Sequence, residues 1–291
     1  MNNINIGFLG FGLIGGSIAR AIKSKSPHTV IQVYTRRKNP DLETGVKEGV
    51  IDYILYDIDD HFSSCDIIFL CAPVLKNIEF LHKLKTIIKK DCIITDVGSV
   101  KGNIHQAVTE LDMEQNFIGG HPMAGSEKTG YRNSSADLLK HCYYLLTPTQ
   151  HTTENDLNKL TEILQPTGSK FIILAPAEHD DVTAAISHVP HIIAANLVNM
   201  VQKNDSEKEY MKTFAAGGFK DITRIASSSP EMWENICLSN KESIDHFLSC
   251  FIENLTHFRK LIADGNSDSI KQFFKDAADY RNSIKEKEDD S

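Results

Sequence analysis

INIGFLGFGLIGGS, residues 4–17, decides how the first half of the chain folds. An uncharged apolar run from Ile4 to Leu9 leads into Gly10, Gly12 and Gly15, spaced as G-x-G-x-x-G. Leu13, Ile14, Ile18 and Ile22 then follow at helix spacing. Strand, glycine turn and helix in this order spell a dinucleotide-binding unit. Gly10 allows the tight turn, Gly12 lets a pyrophosphate approach the backbone, and Gly15 lets the helix pack on the strand. Leu13 and Ile14 open the helix whose free N–H groups hold the phosphates. The bland alternative is a glycine-rich turn without a ligand, and the flanking strand and helix argue against it. The stretch could pass for a signal peptide, but it lacks a basic start and carries five glycines between Ile4 and Ala19. No other segment is expected to approach a membrane span.

Outward from this unit, VIQVYT, CDIIFLCAP, CIITDVGS and KFIILAP read as further buried strands. LKNIEFLHKLKTIIKK, with Ile78, Leu81, Leu84, Ile87 and Ile88, reads as a helix between them. The alternation predicts an α/β fold: an N-terminal Rossmann-type, mostly parallel sheet covered on both faces. Near Pro176 the pattern turns helical. We place a nucleotide-binding domain at 1–172 and an all-helical domain at 173–291. Residues 177–203 form one long candidate helix, kinked where Pro190 clashes with the carbonyl of Ile186. A second begins at Ser229-Pro230-Glu231, a cap, a first-turn proline and an acid suited to the helix dipole. Running on to 263 it is long for a globular helix, so it either breaks near Ser239 or packs on a second subunit. Gly265 supplies its stop, and the tail KEKEDDS reads as disordered.

The 291 residues carry a formal net charge of -8, which argues against nucleic-acid partners. An anionic small molecule would need a local cluster of Arg or Lys. The six cysteines, Cys65, Cys71, Cys92, Cys142, Cys237 and Cys250, include no C-x-x-C pair and mostly sit in apolar runs. That suits reduced thiols in the cytoplasm and no metal site.

The end of the second strand carries Thr35, Arg36, Arg37 and Lys38, with no acid between Phe11 and Pro40. A carboxylate there would meet a free ribose 2′-hydroxyl, whereas a guanidinium binds a 2′-phosphate bidentately. The basic run therefore favours NADP over NAD, against the alternative of solvated surface charge.

Three further segments carry chemistry. DVGSVK sets Ser99 and Lys101 at the carboxyl edge of a strand, where ligands of open parallel sheets bind. GGHPMAGSE, after the next short strand, supplies His121 and Glu127. SHVPH puts Ser187 and His191 four residues apart on one face of the kinked helix. Further on, GGFKDITRIA does the same for Lys220 and Arg224. Singly, each has a bland reading: a serine after a strand caps a helix, and a lone histidine is more often structural.

Taken together, GFGLIGGS, DVGSVK, GGHPMAGSE, SHVPH and GGFKDITRIA closely resemble the prephenate and arogenate dehydrogenase family of tyrosine biosynthesis, over about residues 4–262. The resemblance implies an oxidoreductase that decarboxylates prephenate to 4-hydroxyphenylpyruvate while a nicotinamide accepts hydride. It implies a homodimer built by the helical domain, and a chain without the C-terminal regulatory domain that many members carry. His121 matches the histidine that holds or removes the substrate's hydroxyl proton, on a backbone whose glycines give cofactor and substrate close approach. Ser99 would orient His121 or the hydroxyl and touch the cofactor. Arg224 would anchor a carboxylate, His191 and Ser187 would contact substrate, and Glu127 and Lys220 would gate the pocket by ionic contacts or lie solvated. Trp233, an amphipathic core residue on its own, would by resemblance approach the substrate across the dimer interface; for His188 the core is the safer placement. Arogenate, which carries an amine in place of the keto group, stays open as substrate. A short hydroxy-acid dehydrogenase would need neither GGHPMAGSE nor SHVPH, and a non-catalytic dinucleotide sensor would need no base.

Overall fold

A computed structural model describes residues 4–124 and 128–284. Among them, eight strands form one sheet: β1 (Asn5–Leu9), β2 (Val30–Tyr34), β3 (Tyr53–Leu55), β4 (Ile67–Leu70), β5 (Ile93–Asp96), β6 (Phe117–Pro122), β7 (Tyr143–Pro148) and β8 (Lys170–Ile173). Their order is β3-β2-β1-β4-β5-β6-β7-β8. All neighbours run parallel except β6 and β7. The direction of build-out reverses between β1 and β4, which opens the ligand crevice of a doubly wound sheet.

Helices α1 (Leu13–Lys25), α2 (Pro40–Lys47), α3 (Val74–Leu84), α4 (Gly102–Glu110) and α5 (Glu154–Leu164) accompany the sheet. Strand residues alternate between its two faces. Ile6, Phe8, Ile31 and Val33 meet Ile18, Ile22 and Leu160 in one buried cluster. Leu9, Leu70 and Ile94 meet Phe80, Leu81, Ile104 and Val108 in the other. This is why β1 and β4 read as near-continuous apolar runs.

Four strands depart from what the sequence pattern predicts; β8, read as buried, is an edge strand that leaves Ile172 41% and Ile173 57% exposed. β3 is three residues long. β7 leaves Tyr143 55% exposed and follows a loop, not a crossover helix, which fits its antiparallel course. GGHP, expected beyond a strand, lies within β6 and pairs with β7 through His121 opposite Leu145.

After β8 the chain is helical: α6 (Pro176–Thr183), α7 (Val189–Asn204), α8 (Tyr210–Thr213), α9 (Gly217–Thr223), α10 (Pro230–Ser239), α11 (Lys241–Ala263) and α12 (Ser267–Ser283). Between α6 and α7, residues Ala184–His188 form a π turn, and the Val189 N–H reaches back five residues to the Ala184 carbonyl. The wider turn accommodates Pro190, which cannot donate. Ser229 caps α10, its hydroxyl accepting from the Met232 N–H at 3.4 Å. The long helix breaks at Asn240, between α10 and α11. Gly265, at φ +62°, ends α11 in the left-handed conformation that favours glycine. The tail KEKEDDS lies outside the described residues.

The expectation that no second segment approaches a membrane span is corrected. Pro176–Asn204, 29 residues with a mean hydropathy of 1.3 in its most apolar window, is long and apolar enough to cross a membrane by length and composition. In the fold, Ala184 and Val189 from this segment pack with Ile244 of α11. Ile186 on its outer face is 62% exposed, as are Ile252, Leu255 and Ile262 of α11 to similar degrees. A helical unit with so small a buried core and so much exposed aliphatic surface suits an interface.

Candidate active site

Asp96 ends β5, and its carboxylate accepts from the Gly98 N–H at 2.9 Å and the Gly120 N–H at 3.1 Å. The ammonium of Lys101 pairs with the same carboxylate, and both side chains are fully buried. Burial lowers the Lys101 pKa, opposed by the Asp96 charge. The sequence puts Lys101 at the sheet edge; the structure turns it inward, beneath the glycine pair of β6. A Cβ on Gly120 would lie 2.6 Å from the Asp96 carbonyl oxygen, and one on Gly119 would lie 2.2 Å from Thr147 Oγ1. These glycines let the protein's own strands close up.

His121 stands at the end of β6, half-buried. Its Nδ1 lies 2.8 Å from His179 Nε2. His179 Nδ1 in turn lies 2.8 Å from Asp180 Oδ1. Burial holds the His121 pKa well below the ordinary histidine value, and the neighbouring His179, Lys101 and His188 act in the same direction. His188 is buried, which pushes its pKa down to about 4, and it lies against the Ser99 backbone. Its Nδ1 is 3.2 Å from the Asn240 side-chain amide, and its Nε2 has no hydrogen-bond partner among the described residues.

The π turn presents the second half of the site. The His191 ring stacks on Trp233 with centroids 4.0 Å apart, and the His188 ring meets Trp233 edge-on at 6.1 Å. Both contacts are within one chain, so no partner subunit is needed to bring Trp233 to these rings. His191 Nδ1 donates to the Ser187 carbonyl at 2.8 Å, which leaves Nε2 free of the proton. Burial lowers the His191 pKa, and the guanidinium of Arg224 adds to the effect. Arg224 and Lys220 are exposed. Glu127 lies outside the described residues.

Within this site His188 joins the Ser99 backbone to Trp233, which stacks on His191, while His121 and Arg224 lie close enough to these rings for their charges to be felt. His179, Asp180 and Asn240 complete it, and the sequence motifs include none of the three. Only the side chains of His179 and Asp180, adjacent on a helix start rich in polar residues, offer a signal.

The glycine turn fits a dinucleotide. Gly10 sits at φ +88°, and a Cβ there would lie 2.8 Å from the Cys71 carbonyl carbon. A Cβ on Gly12 would meet no atom of the described residues within 4 Å. No side chain caps the N-terminus of α1, so its N–H groups stay available to phosphate. A Cβ on Gly15 would lie 3.2 Å from Cys71 Sγ, where α1 packs on the sheet. Beyond β2, Thr35, Arg36, Arg37, Lys38, Asn39 and Pro40 line a shallow cavity of about 340 Å³.

A doubly wound sheet with this turn, and an imidazole at its carboxyl edge, defines an NAD(P)-linked oxidoreductase. The sequence profile described as "Prephenate dehydrogenase, nucleotide-binding domain" matches residues 18–181, and "Prephenate dehydrogenase, dimerization domain" matches 175–276. The chain belongs to the prephenate dehydrogenase family. It is 38% identical to prephenate dehydrogenase of Bacillus subtilis over 94% of this chain and 74% of that protein. It is 30% identical to cyclohexadienyl dehydrogenase of Zymomonas mobilis over 97% and 96%. Among solved structures it resembles prephenate dehydrogenase from A. aeolicus in complex with hydroxyphenyl propionate and NAD+. The TM-score is 0.91 at 31% identity, covering 98% of this chain and 99% of that one.

Proposed function

We propose that this protein oxidatively decarboxylates prephenate to 4-hydroxyphenylpyruvate, with His121 as the base. The observation that carries the reading is the cluster of the His188, Trp233 and His191 rings, with His121 and Arg224 close enough for their charges to be felt. It brings a proton acceptor and a guanidinium to one site, the two groups that a cyclic diene with a ring hydroxyl and two carboxylates calls for.

The nicotinamide, when bound, accepts hydride from the carbon bearing the hydroxyl. His121 takes the hydroxyl proton as that carbon becomes a carbonyl. The ring then loses CO₂, the electrons of the broken bond make it aromatic, and the proton returns to the phenolic oxygen. The low pKa of His121 keeps it unprotonated and ready at neutral pH. Ser99 orients the hydroxyl, Ser187 and His191 contact the ring, and Arg224 holds a carboxylate through paired hydrogen bonds. Lys220, four residues before Arg224, adds positive charge to a chain that is acidic overall. The basic lip after β2 supports NADP over NAD, and the exposed aliphatic surface of α7 and α11 supports a homodimer. We place the enzyme in the cytoplasm.

The test is an assay crossing prephenate and arogenate with NAD and NADP, read as absorbance of the reduced cofactor. Turnover with prephenate is expected. Silence with both acids overturns the reading, and turnover with arogenate alone reassigns the substrate. His121→Asn should bind cofactor normally and lose about 10²–10⁴-fold in kcat.

A further inference from the structure

Asp180 reaches out of the helical unit to the start of α4. Its Oδ1 accepts from the Lys101 N–H at 2.8 Å and its Oδ2 from the Gly102 N–H at 2.7 Å. Backbone N–H groups can only donate, so this carboxylate is used as an acceptor on both oxygens. The same Oδ1 lies 2.8 Å from His179 Nδ1, which therefore carries a hydrogen. A neutral imidazole has one N–H, so His179 Nε2 is an acceptor. Facing it at 2.8 Å is His121 Nδ1, which must then be the donor. The lone pair of His121 is left on Nε2. His179 is fully buried and Asp180 is 6% exposed, so neither side chain exchanges this partner for water.

We propose that His179 and Asp180 are positioning residues that fix His121 in the tautomer protonated at Nδ1, leaving Nε2 to take the substrate proton. The inference rests on His121 being the base. An imidazole with the hydrogen on the wrong nitrogen would meet the substrate hydroxyl with a donor and could not accept its proton. As His121 becomes charged, its Nδ1–H keeps the same acceptor, and the Asp180 carboxylate lies beyond it to offset the new charge. Among the described residues, the titratable groups that act on the His121 ring are His179, Lys101 and His188. Of these only His179 is within hydrogen-bond distance. Asp180 also ties the N-terminus of α4 to the helical unit, so a merely structural role has to be separated from positioning.

The decisive measurement is ¹⁵N NMR of histidine-labelled wild-type protein at neutral pH, with His121 assigned by its loss in His121→Asn. A hydrogen on Nδ1 and none on Nε2 is expected; a hydrogen on Nε2 overturns the proposal, with no variant needing to fold. In kinetics, His179→Leu should lower kcat about 10–100-fold, as loss of an orienting partner typically does, with KM changed by less than about threefold. His179→Gln, whose carbonyl can accept from Nδ1, should recover about tenfold of that loss. A His179→Leu enzyme with kcat within about twofold of wild type overturns the proposal, and so does a loss that Gln does not rescue. If His121→Asn itself turns over normally, the assignment of the base has failed; if it is inactive while His179→Leu is unaffected, only the positioning pair has failed.

Discussion

The Nζ of Lys101 donates to the carbonyl oxygen of Gly120 at 2.7 Å, one residue before His121. Together with its ion pair to Asp96, this contact ties the loop after β5 to the backbone of β6 in a fully buried place. Breaking a buried pair by removing one partner leaves the other charge uncompensated. Lys101→Met should therefore lose about 3–5 kcal/mol of stability, measured as a shift in urea midpoint. A loss within the range of an exposed pair, below about 1 kcal/mol, would contradict this picture.

Stability should also fall in mild acid, and His188 supplies part of the reason. Burial sets its folded pKa at about 4 against an ordinary value of 6.5. As pH falls below that ordinary value the unfolded chain takes up a proton that the folded one refuses. The stability present above it is lost progressively down to the folded pKa. The loss is about 3 kcal/mol, from a shift of this size on a fully buried ring. His188→Gln cannot titrate, so the gap between wild type and variant in urea unfolding should narrow as pH drops from neutral towards the folded pKa. His105, also pushed down to about 4 by burial, adds a similar slope to both proteins and cancels in the comparison.

The two turn glycines should fail in different ways. Gly10→Ala puts a Cβ into the Cys71 backbone at a left-handed φ, so it should lower the melting temperature even without cofactor. Gly12→Ala meets nothing among the described residues, so it should melt as wild type does. It should nonetheless weaken dinucleotide binding by about tenfold or more, since the new methyl stands where a phosphate must approach the backbone. Calorimetry of both variants, with and without NADP, separates the two effects. Equal melting losses would refute the distinction.

The basic lip after β2 makes its own prediction. Replacing Arg36 and Arg37 together by Ala should raise KM for NADP by about 10–100-fold, the value of one or two charge-assisted hydrogen bonds. KM for NAD should barely move. A parallel rise for both cofactors would mean that these arginines see the shared pyrophosphate and not the 2′-phosphate.

How much of the fold and of the site is legible in the sequence depends on how local each signal is. Gly10, Gly12 and Gly15 lie within six residues of one another and answer to one turn, so their placement is legible. The caps at Ser229 and Gly265 and the break near Asn240 are legible for the same reason. β7 is not, because it runs antiparallel to β6 and lacks the preceding crossover helix that marks the others, although YYLL is an apolar run. Asp180 is not, because its partners Lys101 and Gly102 are nearly eighty residues away and an aspartate early in a helix is unremarkable by itself. The stacking of Trp233 on His191 is not legible either, because only the folding of α10 against α7 creates it.

The π turn at Ala184–His188 carries a constraint of its own kind. Successive residues of a helix are set about 100° apart around its axis. Removing one residue from this segment, with every side chain otherwise kept, would rotate His191 by that angle and carry it off the Trp233 ring. Side chains here can be exchanged one for another, but the segment's length is fixed, and a one-residue deletion should cost more than any single replacement within it.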